Sequence, residues 1–340
     1  MKKKALITGI GGQDGSYLAE FLLKKNYTVY GILPRRSSPE LQTLRIEKIL
    51  SKINLSYGDI LDKSNIDEII KKIKPHEVYH LAAQSHVGIS FKSPFLTTQI
   101  DCIGTLNVLE SVKAYSPSSK FYNAATSEIY GNYNKESKIN ENSIMEPVSP
   151  YGVAKHAAYH FVRIYRKSYH LFATNGILFN HESPRRGLNF VTAKIVKGAL
   201  DIKFNNQKYI ELGNLDAKRD WGHAKDYVEA MWKMMQKKKP SDFVIATGKQ
   251  YTVKQFVNLT LNQLGIKYYW KGLGIKTKCF DMNGRCIVQC DKEYFRPLEV
   301  DTLLGDPTKA RKELNWKPKI NIKILVKEMV NSEILKLGND

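Results

Sequence analysis

The sequence has no apolar run as long as the roughly 18 residues that a membrane-spanning helix needs. It begins with MKKKALITGI, which resembles the start of a signal peptide, but the apolar stretch changes at once into the glycine-rich segment GIGGQDG. That change favours a first β-strand followed by a turn over a cleaved leader. We therefore expect no membrane partner and a cytoplasmic location.

Cysteine is also scarce, with four in 340 residues. Cys102 stands alone, while Cys279, Cys286 and Cys290 lie in one C-terminal stretch. These spacings match no zinc-binding pattern, so no metal site is predicted. Reduced thiols with structural roles are expected in the cytoplasm.

Acidic residues are outnumbered: 33 Asp and Glu face 53 Lys and Arg, which gives a formal net charge of +20. A basic surface can neutralise phosphates, so a non-catalytic, RNA-associated nucleotide-binding protein is one alternative. However, the lysines are scattered and no recognisable nucleic-acid module accompanies them. We expect a solvated basic surface that favours small anions, and no nucleic-acid partner.

Strand and helix patterns alternate through the first half, which predicts an α/β protein with a doubly wound parallel sheet (a Rossmann fold). The predicted strands are residues 4–8, 27–32, 53–57, 77–83, 120–125 and 171–178, and the predicted helices are 15–25, 65–73, 95–114 and one that begins at Pro150. We assign residues 1–180 to dinucleotide binding, with segments near 215–250 returning to that domain. Residues 181–340 are assigned mainly to an interleaved substrate-binding region, in which helices open near Asn189 and Trp221 and a strand covers 244–247.

The turn after the first strand, TGIGGQDG, places Gly9, Gly12 and Gly15 at the start of a helix. Glycines at these positions allow a tight turn and let backbone N–H groups approach a pyrophosphate at the helix N-terminus. The pattern predicts a dinucleotide site. Asp59, after the third strand, is a candidate for the adenine edge, and Ala83, Gln84 and Ser85, after the fourth, are candidates for the nicotinamide side.

The second strand lacks the acidic residue that an NAD site places at its end to accept from the ribose 2′-hydroxyl. It ends instead in ILPRRSS, with no acid before Glu40. Arg35, Arg36 and Ser37 can bind a 2′-phosphate through charge-assisted hydrogen bonds, so NADP is the predicted cofactor. A subunit contact is the alternative role for the arginine pair, and both roles can coexist.

The segment SPYGVAK sets Tyr151 and Lys155 four residues apart at a helix start, where Ser149 is a plausible N-cap and Pro150 a good first residue. Side chains at this spacing leave one face of the helix. A nearby ammonium favours the phenolate, so we expect Lys155 to lower the pKa of Tyr151. Tyr151 would then exchange a proton with a sugar hydroxyl while hydride moves to the nicotinamide.

Thr126 and Glu128 follow the fifth strand in the triplet TSE. Thr126 could hold the sugar hydroxyl, and Glu128 could reach the carbon beside a newly formed ketone. Oxidation at C4 of a hexose acidifies the C5 proton, so a carboxylate base could remove it while the C6 hydroxyl leaves. Return of the hydride to C6 gives a 4-keto-6-deoxy sugar.

Several blocks of sequence resemble the GDP-mannose 4,6-dehydratase family of extended short-chain dehydrogenases/reductases. They cover nearly the whole chain and comprise residues 9–20 (GIGGQDGSYLAE), 83–87 (AQSHV), 126–131 (TSEIYG), 149–151 (SPY), 175–187 (NGILFNHESPRRG), 219–230 (RDWGHAKDYVEA) and 295–301 (FRPLEVD). Pro34 and Leu96 depart from the residues common in that family.

The resemblance implies a catalytic group of Thr126, Glu128, Tyr151 and Lys155. It implies contacts to NADP, in addition to the glycines and Arg35, from Gln13, Asp14, Asp59, Ile60, Leu81, Ala82, Ala83, Gln84, Ser85, Tyr151, Lys155, His181 and Arg186. Substrate contacts are assigned to Ser85, Thr126, Ser127, Glu128, Asn180, Asn189, Val191, Lys194, Gly213, Arg219, Arg296 and Glu299.

The implied activity is dehydration of a GDP-sugar, with GDP-mannose as the default substrate and a homodimer or homotetramer as the assembly. A GDP-manno-heptose remains an alternative substrate. A GDP-4-keto-sugar reductase or epimerase is a further alternative, against which the presence of Glu128 argues.

Overall fold

A parallel β-sheet forms the centre of the protein. The computed structural model describes residues 2–35, 39–132, 138–204, 206–295 and 297–337. Within them, seven strands form this sheet in the order β11-β6-β5-β4-β1-β2-β3, with every neighbouring pair parallel. The strands are β1 (Lys4–Thr8), β2 (Thr28–Leu33), β3 (Asn54–Tyr57), β4 (Glu77–His80), β5 (Lys120–Thr126), β6 (Ala173–Leu178) and β11 (Phe243–Ile245). The predicted doubly wound fold is confirmed.

Helices cover both faces of the sheet because successive strand residues point to opposite sides. Ala5 and Ile7 of β1 pack with one layer, whereas Leu6 between them packs with the other. The first layer contains α1 (Gln13–Lys24), α9 (Ala224–Met235) and α11 (Thr308–Leu314), and the second contains α3 (Lys63–Ile73), α6 (Gly104–Tyr115) and α7 (Pro150–Ser168). Both faces are therefore buried, as a parallel sheet requires.

Two predicted boundaries differ from the structure for identifiable reasons. β4 ends at His80 and not at residue 83, because the N–H groups of Leu81 and Ala82 point to the Thr8 hydroxyl at 3.1 and 3.2 Å. The single helix predicted for residues 95–114 is divided by a π-helical turn, so that the segment consists of α5 (Pro94–Thr98), the π-turn Gln99–Ile103 and α6. A separate helix, α4 (Val87–Lys92), ends before Pro94.

The second half of the chain adds a smaller layer with its own core. A four-stranded sheet in the order β13-β14-β15-β8 packs with three helices. The sheet strands are β8 (Ile210–Leu212), β13 (Tyr268–Lys271), β14 (Lys278–Asp281) and β15 (Cys286–Cys290), and the helices are α8 (Val191–Lys203), α10 (Val253–Gln263) and α12 (Ile322–Leu337).

Short elements complete the described chain. Two two-stranded pairs join β7 (His181–Glu182) with β10 (Gly222–His223) and β9 (Lys218–Arg219) with β12 (Tyr251–Thr252). Helix α2 covers Pro39–Thr43, and 3₁₀ segments cover Leu44–Lys52, Ser127–Tyr130, Gly274–Lys276 and Lys292–Tyr294. Across the described residues, none of the helices is both long enough and apolar enough to traverse a bilayer.

The start of α7 follows the sequence prediction closely. The Ser149 hydroxyl accepts the N–H of Gly152 at 3.0 Å, and Pro150 is the first helical residue. Proline suits this position because its missing N–H would have had no partner within the helix. This capped start fixes the direction in which Tyr151 and Lys155 leave the helix.

A partly buried ion pair joins the glycine-rich turn to the second half of the chain. Asp14 Oδ2 lies 2.7 Å from Nε2 of His181, whose Nδ1 lies 2.8 Å from the carbonyl oxygen of Phe179. Burial by itself raises the pKa of Asp14, but His181 outweighs it and lowers that pKa. Burial likewise lowers the pKa of His181, yet Asp14 outweighs it and raises that pKa. The structure therefore favours the charged pair.

The two shifts define a pH window for stability. A raised imidazole pKa contributes stability that is present below its ordinary value of 6.5 and is lost as the pH rises through the folded-state pKa. A lowered carboxyl pKa contributes stability that is present above its ordinary value of 3.8 and is lost on acidification. We expect Asp14→Asn to lower the free energy of unfolding at pH 5.5 by about 2 kcal/mol, the typical value of a charge-assisted hydrogen bond. The loss should be smaller at pH 8.5.

Urea unfolding at both pH values, with an NMR titration of the His181 ring, measures this prediction. Asp62→Asn is the matched control, since it also removes a carboxylate but Asn can still cap α3 by accepting the N–H of Asn65. An unchanged pKa of His181 in Asp14→Asn would contradict the assignment.

Candidate active site

The cleft that holds most of the assigned site residues lies where the strand order reverses, beyond the carboxyl ends of β1 and β4. This is where ligands of doubly wound sheets bind. The cleft is a cavity of about 510 Å³. Of the residues assigned from the sequence, it is lined by Gly9, Gly12, Gln13, Asp14, Gly15, Leu81, Ala82, Ala83, Ser85, Thr126, Ser127, Glu128, Tyr151, Lys155, Asn180, His181, Arg186, Asn189, Val191, Gly213, Arg219 and Glu299. Residues from both halves of the chain thus meet in one cleft.

Other assigned residues lie outside the lining. Gln84 is held away by hydrogen bonds to Thr97 and to the carbonyl of His86, and Asp59 accepts the N–H of Leu61 in its own turn. The remaining residues outside the lining are Arg35, which is exposed, Ile60, which is buried, and Lys194. Arg36, Ser37 and Arg296 lie outside the described residues.

The structure adds lining residues that the sequence analysis did not assign. Trp221 and Tyr294 bring aromatic surface, and Glu182 brings a carboxylate that accepts the Thr192 hydroxyl at 2.6 Å. The other additions are Pro34, His86, Val87, Ala124, Ala125, Leu178, Phe179, Phe190, Asn214, Ala217 and Val253. His86 and Glu182 lie inside the motifs AQSHV and HESPRR, so the resemblance to the family could have identified them as site residues. Tyr294 lies 81 positions from Gly213, whose neighbourhood it shares, and no local pattern points to it.

The glycine turn fits a closely bound dinucleotide. Gly9 has a φ of +72°, and a Cβ there would lie 2.8 Å from the backbone N of Ala82. A Cβ at Gly15 would lie 2.3 Å from the carbonyl oxygen of Gly9. Side chains at these two positions would break the turn that directs backbone N–H groups toward a pyrophosphate, so the residues present fit a nicotinamide dinucleotide.

The expectation that Lys155 lowers the pKa of Tyr151 is wrong in direction. Burial raises the pKa of Tyr151, and the charge of Asp101 raises it further. A hydrogen bond with Thr126 and the charge of Arg186 act in the opposite direction but are outweighed. This hydrogen bond places the Thr126 hydroxyl beside the phenol.

Lys155 is almost completely buried, and its nearest compensating charge is a residue that the sequence analysis missed. Burial lowers the pKa of Lys155 and the charge of Asp101 raises it. Burial raises the pKa of Asp101 to about 7, while Lys155 and the N–H of Gln84 lower it. Oδ1 of Asp101 accepts that N–H at 2.8 Å, and Oδ2 has no hydrogen-bond partner in the described structure.

Two buried oxygens in the cleft are available to a ligand. Oε2 of Glu128 and Oδ1 of Asn180 have no hydrogen-bond partner among the described residues. A buried polar atom without a partner destabilises a protein by about 1–3 kcal/mol, so such atoms are expected where a ligand supplies the missing bond. Both atoms lie in the same cavity as Tyr151.

Positive groups lie in and beside the part of the cleft formed by the second half of the chain, with Arg219 and Arg186 in its lining and Lys194 outside it. Arg219 Nη2 lies 2.7 Å from Oε1 of Glu299, and Lys194 Nζ lies 3.4 Å from the centroid of the Tyr294 ring. Arg186 stacks on Phe190, and its Nε lies 2.9 Å from Glu182 without pointing at the carboxylate. These positive side chains can bind an anionic group of a substrate through charge-assisted hydrogen bonds.

Solved structures with the same fold have cofactors bound. The dTDP-glucose 4,6-dehydratase from Bacillus anthracis, in complex with NAD, superposes with a TM-score of 0.82 at 21% identity and covers 99% of this chain and 98% of its own. RMD from Pseudomonas aeruginosa, complexed with NADPH, has a TM-score of 0.77 at 20% identity and covers 97% of this chain and 99% of its own. At these identities the likeness establishes the fold.

Sequence comparison establishes the family. The family model described as GDP-mannose 4,6 dehydratase matches residues 6–329. "GDP-mannose 4,6 dehydratase 2" of Caenorhabditis elegans is 49% identical over 350 aligned residues, which cover 100% of this chain and 91% of the relative. "GDP-mannose 4,6 dehydratase" of Homo sapiens is 49% identical over 342 residues, which cover 97% and 91%. This chain belongs to the GDP-mannose 4,6-dehydratase family.

Proposed function

We propose that the protein is an NADP-dependent GDP-mannose 4,6-dehydratase, a hydro-lyase that forms GDP-4-keto-6-deoxymannose. The observation that carries this proposal is the buried Glu128 carboxylate, whose Oε2 lacks a partner in the cavity that also holds Thr126, Tyr151 and Lys155. A simple oxidoreductase needs no such base. The similar relatives share the dehydratase name and give no support to the heptose, reductase or epimerase alternatives.

Tyr151 is assigned the proton transfer at the 4-hydroxyl of the sugar. Because burial opposes ionisation of its phenol, the transfer depends on the groups that favour the phenolate, which here are the Thr126 hydroxyl and the charge of Arg186. Lys155 is placed to bind the nicotinamide ribose. When bound, the cofactor supplies hydride acceptance from C4 and hydride return to C6.

Glu128 is assigned the proton at C5. A carboxylate with one unpaired oxygen can accept this proton once the neighbouring carbon is a ketone, and can pass it to the departing C6 hydroxyl, which leaves as water. When hydride returns to C6, C5 takes a proton from solvent, which balances the proton that Tyr151 accepted from the 4-hydroxyl. The N–H of Glu128 points to the Thr126 hydroxyl at 3.3 Å, so the base is tied to the residue that holds the 4-hydroxyl. Arg219 and Lys194 are assigned to the diphosphate, and Asn180 to a polar group of the sugar.

We expect Glu128→Gln to retain cofactor binding and to lower the rate of dehydration at least about 100-fold, since an amide cannot accept the C5 proton. Mass spectrometry of the GDP-sugar product measures the loss of water, and reaction in D₂O measures exchange at C5. Both signals should fall together.

Glu47→Gln is the matched control because Glu47 is exposed and lies outside the cleft. Dehydration by Glu128→Gln at the wild-type rate would remove Glu128 from its role. An active enzyme that converts other GDP-sugars but not GDP-mannose would contradict the substrate assignment.

The preference for NADP over NAD rests on the end of β2. Pro34 lines the cleft, and the neighbouring Arg35 is exposed, so its guanidinium is accessible to a 2′-phosphate. The chain has no carboxylate here to accept from a free ribose 2′-hydroxyl.

We expect Arg35→Gln to weaken NADP binding about tenfold and NAD binding by less than about twofold, because only NADP carries the phosphate that the guanidinium would bind. Calorimetric titration with each dinucleotide measures the two affinities. Arg285→Gln, in the turn between β14 and β15, is the control. Equal weakening of both dinucleotides would contradict the assignment.

We also propose a homo-oligomer, in which a second copy covers the apolar side chains on the outer helices. Phe95, Val153 and Ile164 are exposed by 75, 55 and 48% on α5 and α7, which pack together. Leu96 and Ile103, on α5 and the adjoining π-turn, are also exposed. Apolar side chains clustered on neighbouring helices are typical of subunit interfaces.

We expect Ile164→Glu to lower the solution mass from that of a dimer or tetramer, because it would bury a charge in the interface. Light scattering after size-exclusion chromatography measures the mass. Ile324→Glu is the matched control, since Ile324 is 44% exposed on α12. A wild-type monomer would overturn the proposal.

The division of labour along the chain stays a proposal as well. Residues 1–180 are assigned mainly to NADP and residues 181–340 mainly to the GDP-sugar, with the segments near 215–250 returning to the first domain. The pairing of β11 with β6 and the packing of α9 on α1 support this interleaving. The cytoplasmic location and the absence of a nucleic-acid partner stay predictions from the sequence.

A further inference from the structure

A second cavity, of about 590 Å³, lies on another side of α7 from the catalytic cleft. Its walls come from α7, the chain before α7, the entry to β11 and helix α11. It is lined by Glu141, Asn142, Ser143, Met145, His156, Tyr159, His160, Arg163, Arg166, Lys167, Ser241, Asp242 and Lys309. None of these residues lines the catalytic cleft.

A pair of histidines faces this cavity. His156 and His160 are one helical turn apart, their Nε2 atoms are 3.0 Å apart and their ring centroids are 4.6 Å apart. One ring must donate and the other accept, so the pair shares one proton between the two Nε2 atoms. Partial burial lowers the pKa of both, helped by His160 for His156 and by Arg163 for His160, while the charge of Asp242 raises the pKa of His160 without outweighing the other two effects. A further proton would give the histidine pair a positive charge, which a bound anion would stabilise.

The other charges around the pair are mostly positive. The cavity lining contains four further positively charged side chains, Arg163, Arg166, Lys167 and Lys309, and two carboxylates, Glu141 and Asp242.

Both carboxylates are engaged elsewhere. Asp242 pairs with Arg166 and accepts the N–H of Asn175, and Glu141 accepts the N–H of Val244 at 2.7 Å. The ammonium of Lys309 donates to neutral acceptors, Ser241 Oγ at 2.7 Å and the carbonyl of Asp242 at 2.8 Å. The positive charge of the arginines and lysines that line the cavity is thus only partly neutralised, which disfavours a metal cation beside the imidazoles.

We propose that this cavity is a second anion site, which binds a phosphate group between the His156–His160 pair and Arg163, and that protonation of the histidine pair strengthens the binding. Imidazolium and guanidinium groups donate charge-assisted hydrogen bonds to phosphate oxygens. The proposal does not depend on the reaction at the catalytic cleft, although the two sites share α7 and His156 directly follows Lys155.

The test uses the full-length protein saturated with NADP and GDP, so that the catalytic cleft is filled. Inorganic phosphate, AMP and sulfate are titrated by calorimetry, and the ring signals of His156 and His160 are followed by NMR. Sulfate is the probe for pH, because its charge is the same at pH 6 and pH 8. Variants are His160→Asn and Arg163→Gln, with His170→Asn as the control because His170 is exposed and lies outside the cavity.

We expect saturable binding that shifts both ring signals, weakens about tenfold in each variant and stays unchanged in the control. Sulfate should bind about fivefold more tightly at pH 6 than at pH 8. Tighter binding of inorganic phosphate than of AMP identifies a free oxyanion as the ligand, and the reverse identifies a nucleotide; either result supports the proposal. Absence of binding, equal binding in Arg163→Gln, or ring signals that respond to Zn²⁺ and to none of the anions would overturn it.

Discussion

A lysine buried where α7 meets the cleft at the carboxyl ends of the parallel strands is the constraint on which this site depends. Removing an ammonium from water costs several kcal/mol unless nearby charges and dipoles compensate. Asp101 supplies the compensating charge for Lys155. Asp101 is itself buried, and its carboxylate accepts a hydrogen bond from the N–H of Gln84. The carbonyl of Asp101 accepts the Thr105 hydroxyl, and that hydroxyl also lies 3.1 Å from Nε2 of His80. The positions of Lys155 and Asp101 are thus fixed by the interior of the fold.

The same network explains why the cleft opens where it does. His80 at the end of β4 lies 2.9 Å from the hydroxyl of Thr8 at the end of β1, and that hydroxyl also faces the N–H groups that leave β4. Burial and the charge of Lys155 lower the pKa of His80 to about 3, so the ring stays neutral and both nitrogens serve hydrogen bonds. The strand order reverses at this point, and the chains leaving β1 and β4 diverge to form the cleft.

Charge is distributed unevenly between the two parts of the cleft. Around Tyr151, burial and the charges of Asp101 and Glu128 raise the phenol pKa, so acceptance of the 4-hydroxyl proton depends on the opposing effects of Thr126 and Arg186. Across the cleft, Arg219 and Arg186 are already paired with Glu299 and Glu182. These pairs keep the arginines positioned, and a bound diphosphate would compete for the same guanidinium groups.

The sequence by itself determined where the strands, the glycine turn and the start of α7 lie, because each of these local features depends on neighbours within a few residues. A short apolar run before the glycine turn located β1, and Ser149 with Pro150 located the helix that carries Tyr151 and Lys155. Motifs that resemble a known family placed Glu128 and Arg219 in the site. Tertiary structure alone decided the electrostatics, because Asp101 meets Lys155 only after folding. Burial of Tyr151 in the folded protein, together with the charge of Asp101, raises its pKa, which is opposite to the expected shift. Tyr294 and Trp221 likewise reach the cleft through contacts between distant segments, which no local pattern of residues encodes.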